Sequence, residues 1–301
     1  MKPEVLSKGR VEDFKNYCRK HKLEVDQTYL HEDEDLIDFE PNENNPTYII
    51  CNDKNEITAA ASVVLNEYYR RGRTGRFRIF HSAVEDADCY NMLFKAITKH
   101  IEGLDSVFLH IPSVNEKLMR FVEGLGFRVE RYSYDLLREL MDVPEPGLTE
   151  GYEIKPFKLG RDEKAWCDIR NISFAHHMGS NIPITPEMVA EQMTAVDHIE
   201  GGAMLLYHKE RPVGIVRGVK DEDMGPEVMV ILALAIMPGY QGKGLGRSML
   251  RASLGFAKEK GYKRAVLNVN GENERAKTLY LDEGFKQIYA SVCYKYYLKD
   301  F

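Results

Sequence analysis

Residues 228–246 read VMVILALAIMPGYQGKGLG. The first ten, Val228 to Met237, are apolar without a break, and Pro238 ends the run. A segment apolar on both faces predicts a central strand covered on both sides of a sheet. Gly242, Gly244 and Gly246 follow, and then Leu245, Met249, Ala252 and Phe256 at the spacing of one helix face. Strand, glycine loop and helix N-terminus together make an anion site. Free N–H groups point out of the first turn, the helix dipole favours negative charge, and glycine lets a phosphate approach closely.

Three nucleotide-binding patterns compete for this loop. A Walker A loop requires Lys and Ser or Thr after its last glycine, and Leu245 and Gly246 stand there instead. A Rossmann fingerprint requires GxGxxG and an acidic residue at the end of the next strand; that strand ends in Asn268 and Asn270. Both fail. The third pattern, [Q/R]xxGxG, is met by Gln241 to Gly246. A glycine-rich turn that holds no ligand stays open beside it.

At 301 residues the chain suits two domains of about 150 residues each. A hydrophobic share of 44% permits packed cores, and a net charge of −6 argues against nucleic acid as a partner. Five cysteines without CxxC spacing fit reduced thiols. No run has signal-peptide or membrane-spanning character, so a soluble, cytoplasmic protein is expected.

The chain repeats itself without a gap. Residues 105–127, DSVFLHIPSVNEKLMRFVEGLGF, align with residues 263–285, KRAVLNVNGENERAKTLYLDEGF, because 263 − 105 and 285 − 127 both give 158. A period this long means two copies of a domain. The linker composition of VPEPGLTEG, residues 143–151, divides them, so domains are expected at residues 1–143 and 150–301. In the second copy, DEKAWCDIRNISFAHH and TPEMVAEQM read as helices, the latter with Thr185 as cap and Pro186 in the first turn. AMLLYHKERPVGIVRGVK reads as a hairpin. NERAKTLYLDEG reads as a short helix capped by Asn273 and stopped by Gly284.

With LAIMPGYQGKGLG followed about 30 residues later by NERAKTLYLDEGF, residues 151–297 resemble the GNAT superfamily of N-acetyltransferases. The tandem arrangement and the FAHH segment are similar to mycothiol synthase-like members. The resemblance implies an α/β fold with a mixed (α+β) central sheet flanked by helices in each copy, and acetyl-CoA as co-substrate. It implies that Leu234, Ala235 and Ile236 bind the pantetheine arm. Gln241, Gly242, Lys243, Gly244, Leu245, Gly246 and Arg247 would bind the pyrophosphate. Asn273 would lie near the pantetheine, and Tyr280 would protonate the departing thiolate. A phenol, with a pKa of about 10, is protonated at neutral pH and suited to that role; packing against the sheet is the alternative for Tyr280.

Leu232 and Ala233 occupy the place where many relatives carry a carboxylate base, which leaves Glu227, His176 and His177 as candidates. Adjacent histidines do not have zinc-ligand spacing, so no metal is expected. In the first copy the same offset sets AVEDAD, with Glu85, Asp86 and Asp88, opposite the glycine loop, and Val122 opposite Tyr280. Acidic residues at a helix start repel an anion, so this copy is expected to lack the cofactor loop. HEDEDLIDFEPNENNP reads as a solvated acidic loop and RRGRTGRFR as a solvated basic turn. The expected reaction is acetyl transfer to a primary amine of a small molecule. A non-catalytic acyl-CoA sensor or scaffold and a protein N-terminal acetyltransferase are the alternatives.

Overall fold

The structure is a computed structural model that describes residues 2–30, 35–84, 86–221 and 224–298. Residues 31–34 of the acidic segment, and Glu85, fall outside these residues. The chain forms two compact units, Met1–Ser133 with Ala290–Phe301, and Tyr134–Tyr289. These limits follow packing, whereas 1–143 and 150–301 follow the repeat and the proline-glycine segment. Among the described residues, no helix is long and apolar enough to cross a membrane.

The first unit begins with β1 (Glu4–Val5), α1 (Val11–His21), β2 (Thr47–Cys51), β3 (Ile57–Val64), α2 (Glu67–Arg71) and β4 (Thr74–Ser82). It continues with α3 (Ala87–Thr98), β5 (Ser106–Pro112), α4 (Glu116–Gly124) and the start of β6 (Arg128–Glu139). Strands β1 to β4 are antiparallel, and β4 pairs parallel to β5. Leu93 and Ile97 of α3 bury against Ala59, Ala61 and Phe80 on one face of this sheet. Phe14 and Tyr17 of α1 bury against Ile49, Ala60 and Ile79 on the other.

The basic segment is only partly solvated. Arg70, Arg71 and Arg73 are exposed, but Arg76 and Arg78 lie inside β4 and are largely enclosed. Arg76 is ion-paired with Asp26 and stands over the Tyr29 ring at 5.1 Å. Arg78 donates to the Tyr29 carbonyl at 2.7 Å and lies over Phe39 at 5.0 Å. Strand periodicity draws these two inward, and a carboxylate, a carbonyl and aromatic faces satisfy them there.

The second unit takes up the end of β6 and adds β7 (Tyr152–Pro156), α5 (Glu163–Phe174), α6 (Pro186–Gln192), β8 (His198–His208) and β9 (Arg211–Lys220). It closes with β10 (Val228–Ile236), α7 (Leu245–Glu259), β11 (Arg264–Asn270) and α8 (Glu274–Asp282). Its sheet runs β7-β8-β9-β10-β11-β6, with β10 parallel to β11 and antiparallel to β9. Met249, Leu250 and Leu254 of α7 pack on Val216, Met229 and Leu267 of the sheet. Helix α5 stops at Phe174, earlier than its composition suggests, so His176 and His177 sit in the turn after it.

Close backbone approach fixes one glycine of this sheet. A Cβ on Gly202 would lie 2.6 Å from the Gly218 carbonyl oxygen and 3.0 Å from that of Ile199. Neither backbone atom can rotate away, so Gly202→Ala is expected to cost about 1–3 kcal/mol, the range for overpacking. Thermal denaturation reads this directly, and a melting temperature equal to wild type would refute the packing.

The uniform offset of 158 holds for β5 and β11, which begin at Ser106 and Arg264, and for α4 and α8, which begin at Glu116 and Glu274. It fails in the central strands. Thr74 pairs with Ser106 as Val228 pairs with Arg264, so β4 and β10 correspond at an offset of 154. The link from central strand to helix is therefore residues 83–86 in the first unit and 237–244 in the second. AVEDAD thus falls in a shorter link than the one that carries the glycine loop. Four residues are missing there, and an ungapped repeat hides a deletion at that point. Asp86 caps α3 with its own carboxylate, and Asp88 lies in the first turn.

The last strand, β12 (Lys286–Tyr297), starts in the second unit and finishes in the first. There Ser291–Tyr297 pair antiparallel to β5, and Val292, Cys293 and Tyr294 are buried. Truncation after Tyr289 removes these three side chains and is expected to cost the first unit about 5 kcal/mol. Native-state hydrogen exchange would show this as lost protection in β5. Unchanged protection would refute it.

Candidate active site

Within the second unit a cavity of about 380 Å³ opens beside the end of β10, the following loop and α8. That size falls in the range of small-ligand pockets. Local sequence shapes each wall. The β9–β10 ladder shifts register between Leu232 and Ala235, and Ala233 takes a positive φ of 52°. The parallel pairing to β11 is registered for Val228 to Ile231. A bulge of this kind redirects the backbone that follows, and Leu234, Ala235 and Ile236 line the cavity.

The glycines shape the second wall. Gly242 and Gly244 have φ of 79° and 77°, and a Cβ on either would meet nothing within 4 Å. The requirement is conformational, and the space beside them is open. Gly244 caps α7, whose first turn carries no acidic residue, in contrast to α3. The 15 residues of α7 therefore aim their uncompensated N–H groups and positive dipole end at the loop. Gln241 braces this loop: its Nε2 donates to the Ile236 carbonyl at 2.9 Å, and its Oε1 accepts from Arg275 at 3.0 Å.

Asn273 and Tyr280 come from the start and end of α8. Asn273 caps the helix by accepting from the Ala276 N–H at 3.2 Å, which leaves its Nδ2 for the cavity. Tyr280 is 8% exposed, and its ring packs at 5.9 Å from Phe285. Its hydroxyl has no hydrogen bond to any described protein group, and burial pushes its pKa up to about 12. Tyr280 thus packs on Phe285 and also lines the cavity.

Of the other sequence candidates, Gln241, Gly242, Gly244, Leu245, Gly246 and Arg247 line the cavity. Lys243 does not; it lies over the Tyr240 ring at 5.2 Å. Arg247 is held by Asp282 at 2.9 Å and by buried Glu283 at 3.2 Å. The histidine pair separates: His177 lines the cavity, and His176 is exposed outside it. Glu227 is exposed at the far end of β10, about 23 Å along the strand from Leu234, and is not brought to the site.

Ser173, Phe174 and Arg275 also line the cavity and were missed by sequence reasoning. The Ser173 Oγ is buried without a hydrogen-bond partner among the described residues. A serine near a helix end carries no sequence signal of this kind. Only its closeness to the FAHH segment pointed this way.

Residues 166–285 match the acetyltransferase (GNAT) family. The mycothiol acetyltransferase of Kocuria rhizophila is 23% identical over 284 residues, 87% of this chain and 88% of that protein. The mycothiol acetyltransferase of Geodermatophilus obscurus is 31% identical over 170 residues, 53% of this chain and 54% of that protein. Among solved structures, a GCN5-related N-acetyltransferase from Sphaerobacter thermophilus shares the fold with a TM-score of 0.74 at 17% identity, covering 98% of this chain and 95% of that one. A tandem GNAT protein from the clavulanic acid biosynthesis pathway does so at 0.69 and 12%, covering 98% of both chains. On the match across α5 to α8, residues 166–285 belong to the GNAT family of acetyltransferases, and the whole chain shares its fold with tandem GNAT proteins.

Proposed function

We propose that the second unit transfers an acetyl group from acetyl-CoA to a primary amine of a small molecule. The observation that carries this reading is Tyr280, which lines a cavity that also includes an acid-free helix N-terminus and whose hydroxyl has no partner among the described residues. Acetyl-CoA brings the thioester. Loop N–H groups from Gln241 to Arg247 hold its pyrophosphate, and the backbone of Leu234 to Ile236 holds the pantetheine arm. The amine nitrogen bonds to the thioester carbon, the carbon–sulfur bond breaks, and Tyr280 gives its proton to the sulfur that leaves. His177, the one histidine among the lining residues, takes the proton released by the amine, directly or through water.

The relatives named for mycothiol support a small molecule over a protein N-terminus as acceptor. The degenerate first unit supports the second as the acetyl-CoA site of the chain. Incubation with acetyl-CoA and a panel of amines, followed by CoA release, tests the reaction. Acetyl-CoA binding without release for any small amine or peptide would favour the sensor reading instead. Titration calorimetry is expected to give one acetyl-CoA per chain, and two would refute the assignment of a single site.

A further inference from the structure

A second cluster of chemistry-bearing side chains lies in the first unit. His21 ends α1, Glu24 lies in the short turn Lys22–Glu24 after it, and His81 is on β4. The Glu24 carboxylate meets both imidazoles, Oε1 at 2.7 Å from His21 Nδ1 and Oε2 at 3.1 Å from His81 Nε2. One ligand atom from each of the three residues lies within 4.8 Å of the others. Both histidines are buried, at 7% and 3% exposure, while the Glu24 side chain is half exposed.

Proton accounting shows a gap in this cluster. The Tyr17 hydroxyl has one proton and two neighbours, the Thr58 carbonyl at 3.0 Å and His81 Nδ1 at 2.7 Å. The Thr58 carbonyl also accepts from the Ala83 N–H at 2.8 Å, so the phenol proton fits either contact; when it lies on Thr58, His81 Nδ1–H donates to the phenol oxygen. His81 Nε2 is then a lone pair facing a carboxylate oxygen. His21 Nε2 is also buried without a partner among the described residues. A ring whose Nδ1–H is fixed on an oxygen is in the tautomer that presents Nε2 to a metal.

We propose that His21, Glu24 and His81 bind one divalent transition-metal ion, zinc by the donor set, with a fourth position open toward solvent beside Glu24. Two neutral imidazoles and one carboxylate suit zinc, whereas magnesium and calcium take oxygen ligands. Bonds of about 2.0–2.1 Å in a tetrahedron separate ligand atoms by about 3.3 Å. To admit the ion, the contacts at 2.7 and 3.1 Å open and separations of up to 4.8 Å among the three ligand atoms close to that value.

Position in the fold gives the site a meaning. By the ladder offset of 154, His81 stands where Ala235 stands in the second unit. His21 ends α1 as Phe174 ends α5. Ala235 and Phe174 both line the acetyl-CoA cavity. In the first unit the equivalent place is filled by this cluster, so the ion would tie α1 to β4 where the other copy leaves a cleft.

The test uses the full chain, freed of metal by a chelator and titrated with zinc ions by calorimetry, with cobalt ions as a spectroscopic probe. One zinc per chain, a raised melting temperature and cobalt d–d bands of a low-symmetry, four-coordinate site are expected. Glu24→Gln, a half-exposed position whose metal-free melting temperature should match wild type, is expected to weaken zinc at least 10-fold. His176→Ala is expected to keep it, and acetyl transfer should be unchanged in both. Absence of zinc binding by the wild-type chain overturns the proposal. So does wild-type affinity in Glu24→Gln, or loss of zinc in His176→Ala.

Discussion

Gly244→Glu is expected to abolish acetyl-CoA binding, with affinity falling at least 100-fold. Gly244 holds a φ of 77°, and a side chain in that left-handed region costs about 1–2 kcal/mol. The larger effect is electrostatic, because a carboxylate at the first turn of α7 would compensate the helix dipole and repel the pyrophosphate. Gly244→Ala separates the two contributions. The added methyl meets nothing within 4 Å, so alanine brings the backbone strain alone and should cost about tenfold. Calorimetry on both variants decides. Equal affinities for glutamate and alanine would mean that the loop is not the seat of the pyrophosphate.

Tyr280→Phe is expected to leave acetyl-CoA affinity nearly unchanged while kcat falls about 10²- to 10⁴-fold, the usual contribution of a positioned acid. The ring, its packing on Phe285 and the helix stay, and only the unpartnered hydroxyl goes. Loss of a transition-state interaction lowers kcat and kcat/KM together. Wild-type turnover in this variant would end the assignment of Tyr280 as the acid. Joint loss of binding and turnover would make it a structural residue.

Burial also sets the pH behaviour of that tyrosine. Its pKa is pushed up to about 12 in the folded chain, above its ordinary value near 10. The folded state therefore favours the protonated phenol. Stability from this group is whole below pH 10 and is lost as pH rises from about 10 to 12, where the unfolded chain ionises first. The acid stays protonated throughout the neutral range, so a rate limb near neutrality reports the base and not Tyr280. His177→Ala should lower kcat/KM for the best amine found; wild-type turnover in that variant would exclude His177 as the base.

Local signals carried much of the second unit. The apolar run of β10, the helix stripe of α7 and the Asn273 cap each depend on neighbours within a few residues, and each appears in the structure. What the sequence hid depends on distant partners. Helix α5 stops before the histidine pair, and Arg170 and Asn171 in its last turns donate to the distant backbone carbonyls of Ile182 and Ile184. Arg76 and Arg78 look like solvated charges until Asp26, Tyr29 and Phe39 are set around them. The residues His21 and His81 stand 60 positions apart in sequence, and no spacing rule joins them. The site was legible where the loop and α8 define it, and opaque at Ser173 and Glu227, where only three dimensions separate neighbour from stranger.

The route of β12 has a consequence for how the protein is made. During synthesis the first unit emerges as far as Ser133, but its sheet lacks the strand beside β5 until Ala290 to Tyr297 leave the ribosome. At translation speeds of about 5–20 residues per second, that wait lasts roughly 8–30 s. For this interval the edge of β5, with Leu109 and Ile111, is an open template for other chains. The nascent protein thus reverses the usual order: the half translated second holds what it needs first, and the half translated first is finished last.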